Sequence, residues 1–196
     1  MRPTVRVAVG VAALLAVGCF RSPPTHFYSL SPAPTEIQRE VSVTGPHVEL
    51  LIAAFPSYLN NPQMALRRAD GEIVVDEFNR WIEELKTNFE RTVMENLVTR
   101  LNNASVVVVQ PYQVSESGLS LRVEVVQFDV SEQGEAVLKA RWGVFDEKRT
   151  AHTRLTLSVF REHVDSNSVE ARVSALSRTV AALSDQLARA VRGTEG

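Results

Sequence analysis

The sequence predicts an α/β protein in which a mixed, largely antiparallel sheet packs with two long helices. Three observations lead there. Between residues 119 and 159, apolar and polar side chains alternate with a period of two through successive runs, the pattern of half-buried strands. Two other stretches, 77–104 and the segment from Asn167 onward, repeat apolar residues every three or four positions instead. A short run, His47–Phe55, is apolar on both alternating faces, as an interior strand is.

The N-terminus sets the compartment. Met1–Arg6 carries Arg2 and Arg6 and no acid, and Val7–Gly18 is an unbroken apolar run. That run is shorter than the ~20 residues a spanning helix needs. A basic segment followed by a short apolar one has the pattern of a secretory signal, which leaves the mature chain. The run ends in Leu15-Ala16-Val17-Gly18-Cys19, with the one cysteine at the expected cleavage point. This resembles the bacterial lipobox, in which cleavage precedes a cysteine that is then acylated. The departure is Ala16, where Leu is usual; Leu15 lies one residue further back. The other readings are a plain secretory signal with an incidental cysteine, or a buried helix. Residues 1–18 are thus expected to be a lipoprotein signal peptide, with Cys19 as lipidation site and covalent lipid as the only attached group. Residues 19–25 form a tether and 26–196 a single domain. Each buried methylene contributes ~0.8 kcal/mol, so one acyl chain binds marginally and several anchor stably. Phe20 rather than Asp after the cysteine is similar to the outer-membrane sorting signal of enteric bacteria.

Past the Pro/Ser-rich tether, His26–Leu30 reads as a strand and Ser31–Thr35, with two prolines, as a loop. His47–Phe55 follows, closed by Pro56. Gln63–Arg68 and Gly71–Asp76 flank Asp70-Gly71, a hairpin-turn signal that places a hairpin at 63–76. From Asn79 the period lengthens: Ile82, Leu85, Phe89, Val93, Leu97 and Leu101 form a stripe. No proline or glycine interrupts 77–104, so a long helix is expected there, with Glu83, Glu84, Lys86, Glu90, Arg91 and Glu95 on its solvated face. Val106–Gln110 is a short β-branched run stopped by Pro111.

Leu119, Leu121, Val123 and Val125 then alternate with polar residues, and the phase inverts to Val126, Phe128 and Val130. The inversion predicts a β-bulge, or a strand that passes between packing environments. Runs at Ala136–Val144 and Leu155–Val159, separated by turn-like segments at 131–134 and 146–150, complete an antiparallel meander. Asn167 with Glu170 resembles a capping box. Val169, Val173, Leu176, Val180, Leu183, Leu187 and Val191 form a narrow seam that ends before Gly193. That seam suits a helix packed on the sheet, or a helix–helix contact within or between chains.

Twenty-one basic against 23 acidic residues give a net charge of −2, which is far from the basic balance of nucleic-acid binders. One cysteine forbids an intrachain disulfide and a Cys-rich zinc site. The histidines at 26, 47, 152 and 163 form no metal-ligand spacing. No serine sits in a Gly-x-Ser-x-Gly elbow, no glycine cluster opens a helix, and Glu83-Glu84 and Asp146-Glu147 are adjacent pairs that do not share a helix face. A non-catalytic protein without a metal is the expectation. Tyr58, Trp81, Phe55 and Phe78 cluster in sequence around the hairpin, either capping the core or forming a contact patch.

At this point the residues match a known pattern. His26-Phe27-Tyr28-Ser29-Leu30 just after a lipidated cysteine resembles the opening of the ABC-type transport auxiliary lipoproteins, the paraquat-inducible protein C-like family. Pro56–Gln63 resembles that family's P-x-Y-L segment. Leu66-Arg67, Gly71-Glu72, Arg80-Trp81 and Leu85 follow in its order, and Val123–Asp129 and Ala136–Trp142 are similar to its central strands. The resemblance implies an α/β lipoprotein on the periplasmic face of the outer membrane. It implies as partners an MCE-domain (mammalian cell entry) membrane-anchored protein and inner-membrane transport components, in a system that moves lipid between membranes. A homo-oligomeric ring is one arrangement it suggests. Tyr58, Leu59 and Trp81 are the partner-binding candidates. A periplasmic carrier holding one lipid per monomer is the alternative reading.

Overall fold

The computed structural model describes residues 23–34, 47–101, 104–111, 118–145 and 155–194. The expected signal peptide, Cys19 and the turn at 146–150 lie outside the described residues. The mixed α/β architecture is as expected: an eight-stranded sheet and two long helices. In chain order the elements are β1 (His26–Tyr28), β2 (His47–Ala54), β3 (Gln63–Arg67), β4 (Ile73–Trp81), α1 (Leu85–Arg100), β5 (Ser105–Val108), β6 (Leu119–Ser131), β7 (Glu135–Phe145), β8 (Thr156–His163) and α2 (Val169–Thr194).

The long strand β6 organises the sheet. One of its edges pairs antiparallel with β7 from Ser120 to Val130, and β7 pairs antiparallel with β8. The other edge forks. Leu119–Glu124 pairs parallel with β2, which leads on to β5, while Val130 and Ser131 pair parallel with β3. From β3 the sheet continues through the antiparallel hairpin to β4 and ends at β1, parallel to β4. The inversion at Val125–Val126 is therefore both things the sequence offered. The register with β7 slips between Val125 and Gln127, leaving Val126 at 48% exposure, and the strand changes neighbour beyond it. Gly118 delivers the chain into β6 with a φ of +100°; a Cβ there would stand 2.5 Å from the His47 carbonyl oxygen. Only glycine brings β2 and β6 into register so closely.

Both helices lie on one face. Their apolar sides meet Val48, Leu50, Ile52, Leu121, Val123, Ala136, Leu138 and Trp142 in one core. The α2 seam is consumed within the chain: Val173, Leu176, Val180, Leu183, Leu187 and Val191 are all buried. Each such side chain contributes ~1.5–3 kcal/mol by leaving water. Ser168, rather than Asn167, receives the Ala171 N–H at 3.1 Å and starts this helix. The helix also continues through Gly193 to Thr194.

One element departs from expectation. The helix expected over 77–104 begins only at Leu85, because Glu77–Trp81 extend β4. Pairing with β1 places Phe27 beside Arg80 and Tyr28 beside Trp81, and the Ile82 N–H continues the ladder to the Tyr28 carbonyl at 2.9 Å. Ile82 is 60% exposed and takes no part in the apolar stripe. In its place α1 buries Asn88, Thr92 and Asn96 beside Phe89, Val93 and Leu97. The two asparagines serve the extended strap that follows β1. The strap's Leu30 N–H reaches Asn88 Oδ1 at 2.7 Å, Ala33 N–H reaches Asn96 Oδ1 at 2.9 Å, and Ser31 N–H reaches Ser177 Oγ on α2 at 3.1 Å. Pro32 and Pro34 have no N–H to satisfy, so the donors at 30, 31 and 33 are met by the helices on either side.

Candidate functional site: the hairpin end and the sheet edges

The hairpin end is built on one carboxylate. Asp129, on the last third of β6, has a side chain only 1% exposed. Its Oδ2 accepts from Tyr58 Oη at 2.7 Å, Arg67 Nε at 2.9 Å and Arg67 Nη2 at 2.5 Å, while Oδ1 accepts from Gln127 Nε2 at 2.8 Å. The Arg67 guanidinium also stacks over the Tyr58 ring, 5.4 Å from its centroid. Burial, then the bond to Asp129, push the Tyr58 hydroxyl up to about 12, so it stays protonated. A buried charge so fully bonded fixes the single turn of 3-10 helix at Ser57–Leu59 against the sheet.

The partner-binding candidates separate by burial. Leu59 and Trp81 are each 5% exposed, Tyr58 is half-buried on Asp129, and Phe55 packs edge-to-face on Phe89 and Phe128 at 5.6 and 6.4 Å. Phe78 alone of the group stands out, at 41% exposure. These four aromatic residues therefore form no single face; capping of the core describes Trp81 and Phe55. Phe78 is displaced by a bulge in β4. There Asp76 accepts from the backbone N–H groups of Phe78 and Asn79, both at 3.0 Å, and from Asn79 Nδ2 at 2.9 Å. Burial opposes ionisation of Asp76, yet these bonds hold its carboxyl below the usual range.

Leu59 and Trp81 do help line a cleft of about 330 Å³. It lies between the β3–β4 hairpin, the end of β6 and the first turns of α2, with Leu66, Val130 and Val173 among its walls. Its charged lining is Asp76, Glu77, Asp129 and Arg172. Among the described residues, no group of three His, Cys, Asp or Glu side chains is placed to hold a metal ion.

Two edges present apolar side chains. On β8, Leu157 and Val159, with Leu155 just before the strand, are 56%, 46% and 63% exposed. They lie on the face away from the helices, opposite Arg141 and Lys139 of β7. The inward side of β8 is held by Phe160, by Ser158, which accepts from Trp142 Nε1 at 3.1 Å, and by Glu162, which accepts from Arg178 at 3.0 Å. At the opposite edge, Phe27 of β1 is 57% exposed, in the same row as Ile82. Alternation locates the β8 strand but not its orientation: Leu155, Leu157 and Val159, which a half-buried strand would turn into the core, face outward, because the inward side is taken by Ser158, Phe160 and Glu162 against Trp142 and Arg178. The β1–β4 face was hidden because Ile82 read as part of a helix.

The model of the family described as ABC-type transport auxiliary lipoprotein component matches residues 28–188. No curated protein matches significantly. Two solved structures share the fold. One, of an uncharacterised protein, is 20% identical with a TM-score of 0.66, covering 85% of this chain and 98% of its own. The other, a DUF330 protein from Xanthomonas campestris, is 12% identical with a TM-score of 0.64, covering 87% and 98%.

Proposed function

The chain belongs to the family of ABC-type transport auxiliary lipoprotein components, and from that premise we propose a non-catalytic outer-membrane docking protein for an intermembrane lipid transporter. In this reading Cys19 is acylated, the domain stands on the periplasmic face, and it holds the far end of an MCE-domain assembly against the membrane. The inner-membrane components of the transporter supply the energy. Family membership supports a membrane-associated place in the envelope; among the described residues, no helix is long and apolar enough to cross a membrane.

The observation that carries the docking role is the β8 edge. Its outer side has no strand partner among the described residues, and it presents Leu155, Leu157 and Val159 beside Lys139 and Arg141. An open strand edge with an apolar row is a surface for protein association, through backbone pairing and side-chain burial together. It suits a second copy in a ring or a strand of the MCE protein. The test is a photo-crosslinking residue at position 157 in cells that make the whole transport system. An adduct with the MCE-domain protein is expected; adducts with neither that protein nor a second copy would overturn the docking role.

The cleft beside Leu59 and Trp81 favours the carrier as a second reading. Its volume of about 330 Å³ is at the small end of the roughly 300–1,000 Å³ typical of ligand sites. Native mass spectrometry of residues 20–196, secreted to a periplasm and purified without detergent, separates the two. Oligomers without lipid support docking, and a monomer carrying one phospholipid supports the carrier.

A further inference from the structure

We infer that the outer face of the β1–β4 edge, formed by Phe27, Arg80 and Ile82, rests on the surface of a zwitterionic phospholipid bilayer. The inference relies on acylation of Cys19, part of the function proposed above. Phe27 and Arg80 are register partners on adjacent parallel strands. Ile82 follows Arg80 by two residues on the ladder that β4 continues with Tyr28. The three side chains therefore share one face, opposite to that of the buried Trp81. Phe27 and Ile82 are among the most exposed large apolar side chains described, at 57% and 60%.

The length of chain between anchor and fold supplies the occupant. Phe27 is eight residues from Cys19. Fully extended, such a chain spans at most ~3.3–3.6 Å per residue, roughly 28 Å in all. With Cys19 acylated, Phe27 is never further than that from the lipid headgroups. Held so close, it meets them at an effective concentration in the millimolar range, so a weak contact suffices. The β8 edge lies at the other end of the sheet, across β7, β6, β3 and β4, and has no such tie.

Chemistry decides the class of lipid. An aromatic and an aliphatic side chain with an arginine between them match the boundary of acyl chain and phosphate, where Arg extends its stem over apolar surface and its charge into the headgroups. The surroundings are not basic. Glu77 and Glu84 are exposed nearby, and Glu83 is occupied by Arg91 at 2.5 Å and Asn88 Nδ2 at 2.8 Å. Among the described residues no cluster of lysine and arginine adjoins the face to draw it onto an anionic surface. Apolar insertion with one phosphate contact is what remains, and a neutral bilayer offers both.

The test uses the mature, acylated protein reconstituted in phosphatidylcholine vesicles, with and without bromine on the acyl chains. Phe27→Trp and Ile82→Trp each place a fluorophore on the face, and Leu157→Trp places one on the far edge. Intact mass first verifies the acylation, so a missing anchor is recognised separately from a missing contact. Brominated lipid is expected to quench both near-face variants roughly twofold beyond the parent, whose Trp81 and Trp142 are buried, and to leave the Leu157→Trp variant at the parent level. Quenching of neither near-face variant overturns the inference and leaves the face for a protein. Equal quenching at position 157 overturns it as well, because the molecule would then touch lipid without preference. Charge selectivity is read by adding phosphatidylglycerol: quenching that appears only with the anionic lipid contradicts the zwitterionic assignment.

Discussion

At the β1–β4–β3 end of the sheet, a nearly fully buried carboxylate gathers Tyr58, Arg67 and Gln127, and asparagines of α1 hold the strap that follows β1. At the β6–β7–β8 end, Ala136, Leu138, Ala140 and Trp142 alternate into the core, while Glu124–Arg141 and Glu135–Arg161 pair across the strands in water. The first end is positioned by directional bonds to buried polar groups. The second is positioned by area. Bonds of the first kind fix a unique arrangement of short, otherwise weakly determined segments, and are costly to lose singly. Area tolerates exchange, so the second end can vary its outer face without disturbing its inner one.

The largest test of this difference is Asp129→Ala. Removing the carboxylate leaves Tyr58, Gln127 and the partly exposed Arg67 without their shared acceptor, at ~1–3 kcal/mol for each donor left unpaired. The midpoint of urea unfolding should fall accordingly. Arg141→Ala at the other end removes a pair whose side chains are 55% and 39% exposed, for a cost of ~0–1 kcal/mol. Equal effects at the two ends would break the comparison. Next in size is Asn88→Ala, which strips the acceptor from the Leu30 N–H at a cost of ~1–3 kcal/mol. Amide exchange at Leu30 should quicken well before the core exchanges, because the strap loosens locally.

A pH series sharpens the polar end further. Tyr58 has a hydroxyl raised to about 12 from the ordinary 10.0, so the unfolded chain loses its proton first as pH climbs. The contribution is complete below pH 10 and disappears between about pH 10 and 12. Two pH units correspond to about 2.7 kcal/mol, and partial solvent screening of this half-buried group reduces that to ~1–2 kcal/mol. Tyr58→Phe should flatten the fall in stability over that interval, measured by urea unfolding at either end of it.

The same division explains what could be read in the sequence. The strands of the meander, the bulge at Val126 and the α2 seam are patterns of local period and lie where the alternation places them, except that the apolar row of β8 faces outward instead of into the core. The end of β4 does not. Nothing local distinguishes Glu77–Ile82 from a first helical turn, because what makes it a strand is three residues of β1 some fifty positions away, aided by the Asp76 bulge. Asn88 and Asn96 likewise read as ordinary helix-surface residues until the strap's N–H groups are seen opposite them. The sequence groups Leu59 and Trp81 with Tyr58, yet their place in a cleft wall depends on α2, more than a hundred residues on in the case of Leu59.

The smallest expected change in stability carries the most functional weight. Leu157→Ser with Val159→Ser alters two side chains that face water on the open side of β8, away from the core. Surface substitutions of this kind stay within ~0.5 kcal/mol each, and serine on an edge strand leaves the β7 pairing and the inward Phe160 in place. Unfolding should therefore be nearly unchanged. Association should not be: the two side chains are already about half covered, so burying the remainder of each at an interface is worth roughly 0.7–1.5 kcal/mol, and the double variant should weaken assembly about tenfold or more in sedimentation or native mass spectra. A double variant that assembles like the parent would place the docking surface elsewhere. One that unfolds would show that the β8 end depends on its outer face after all.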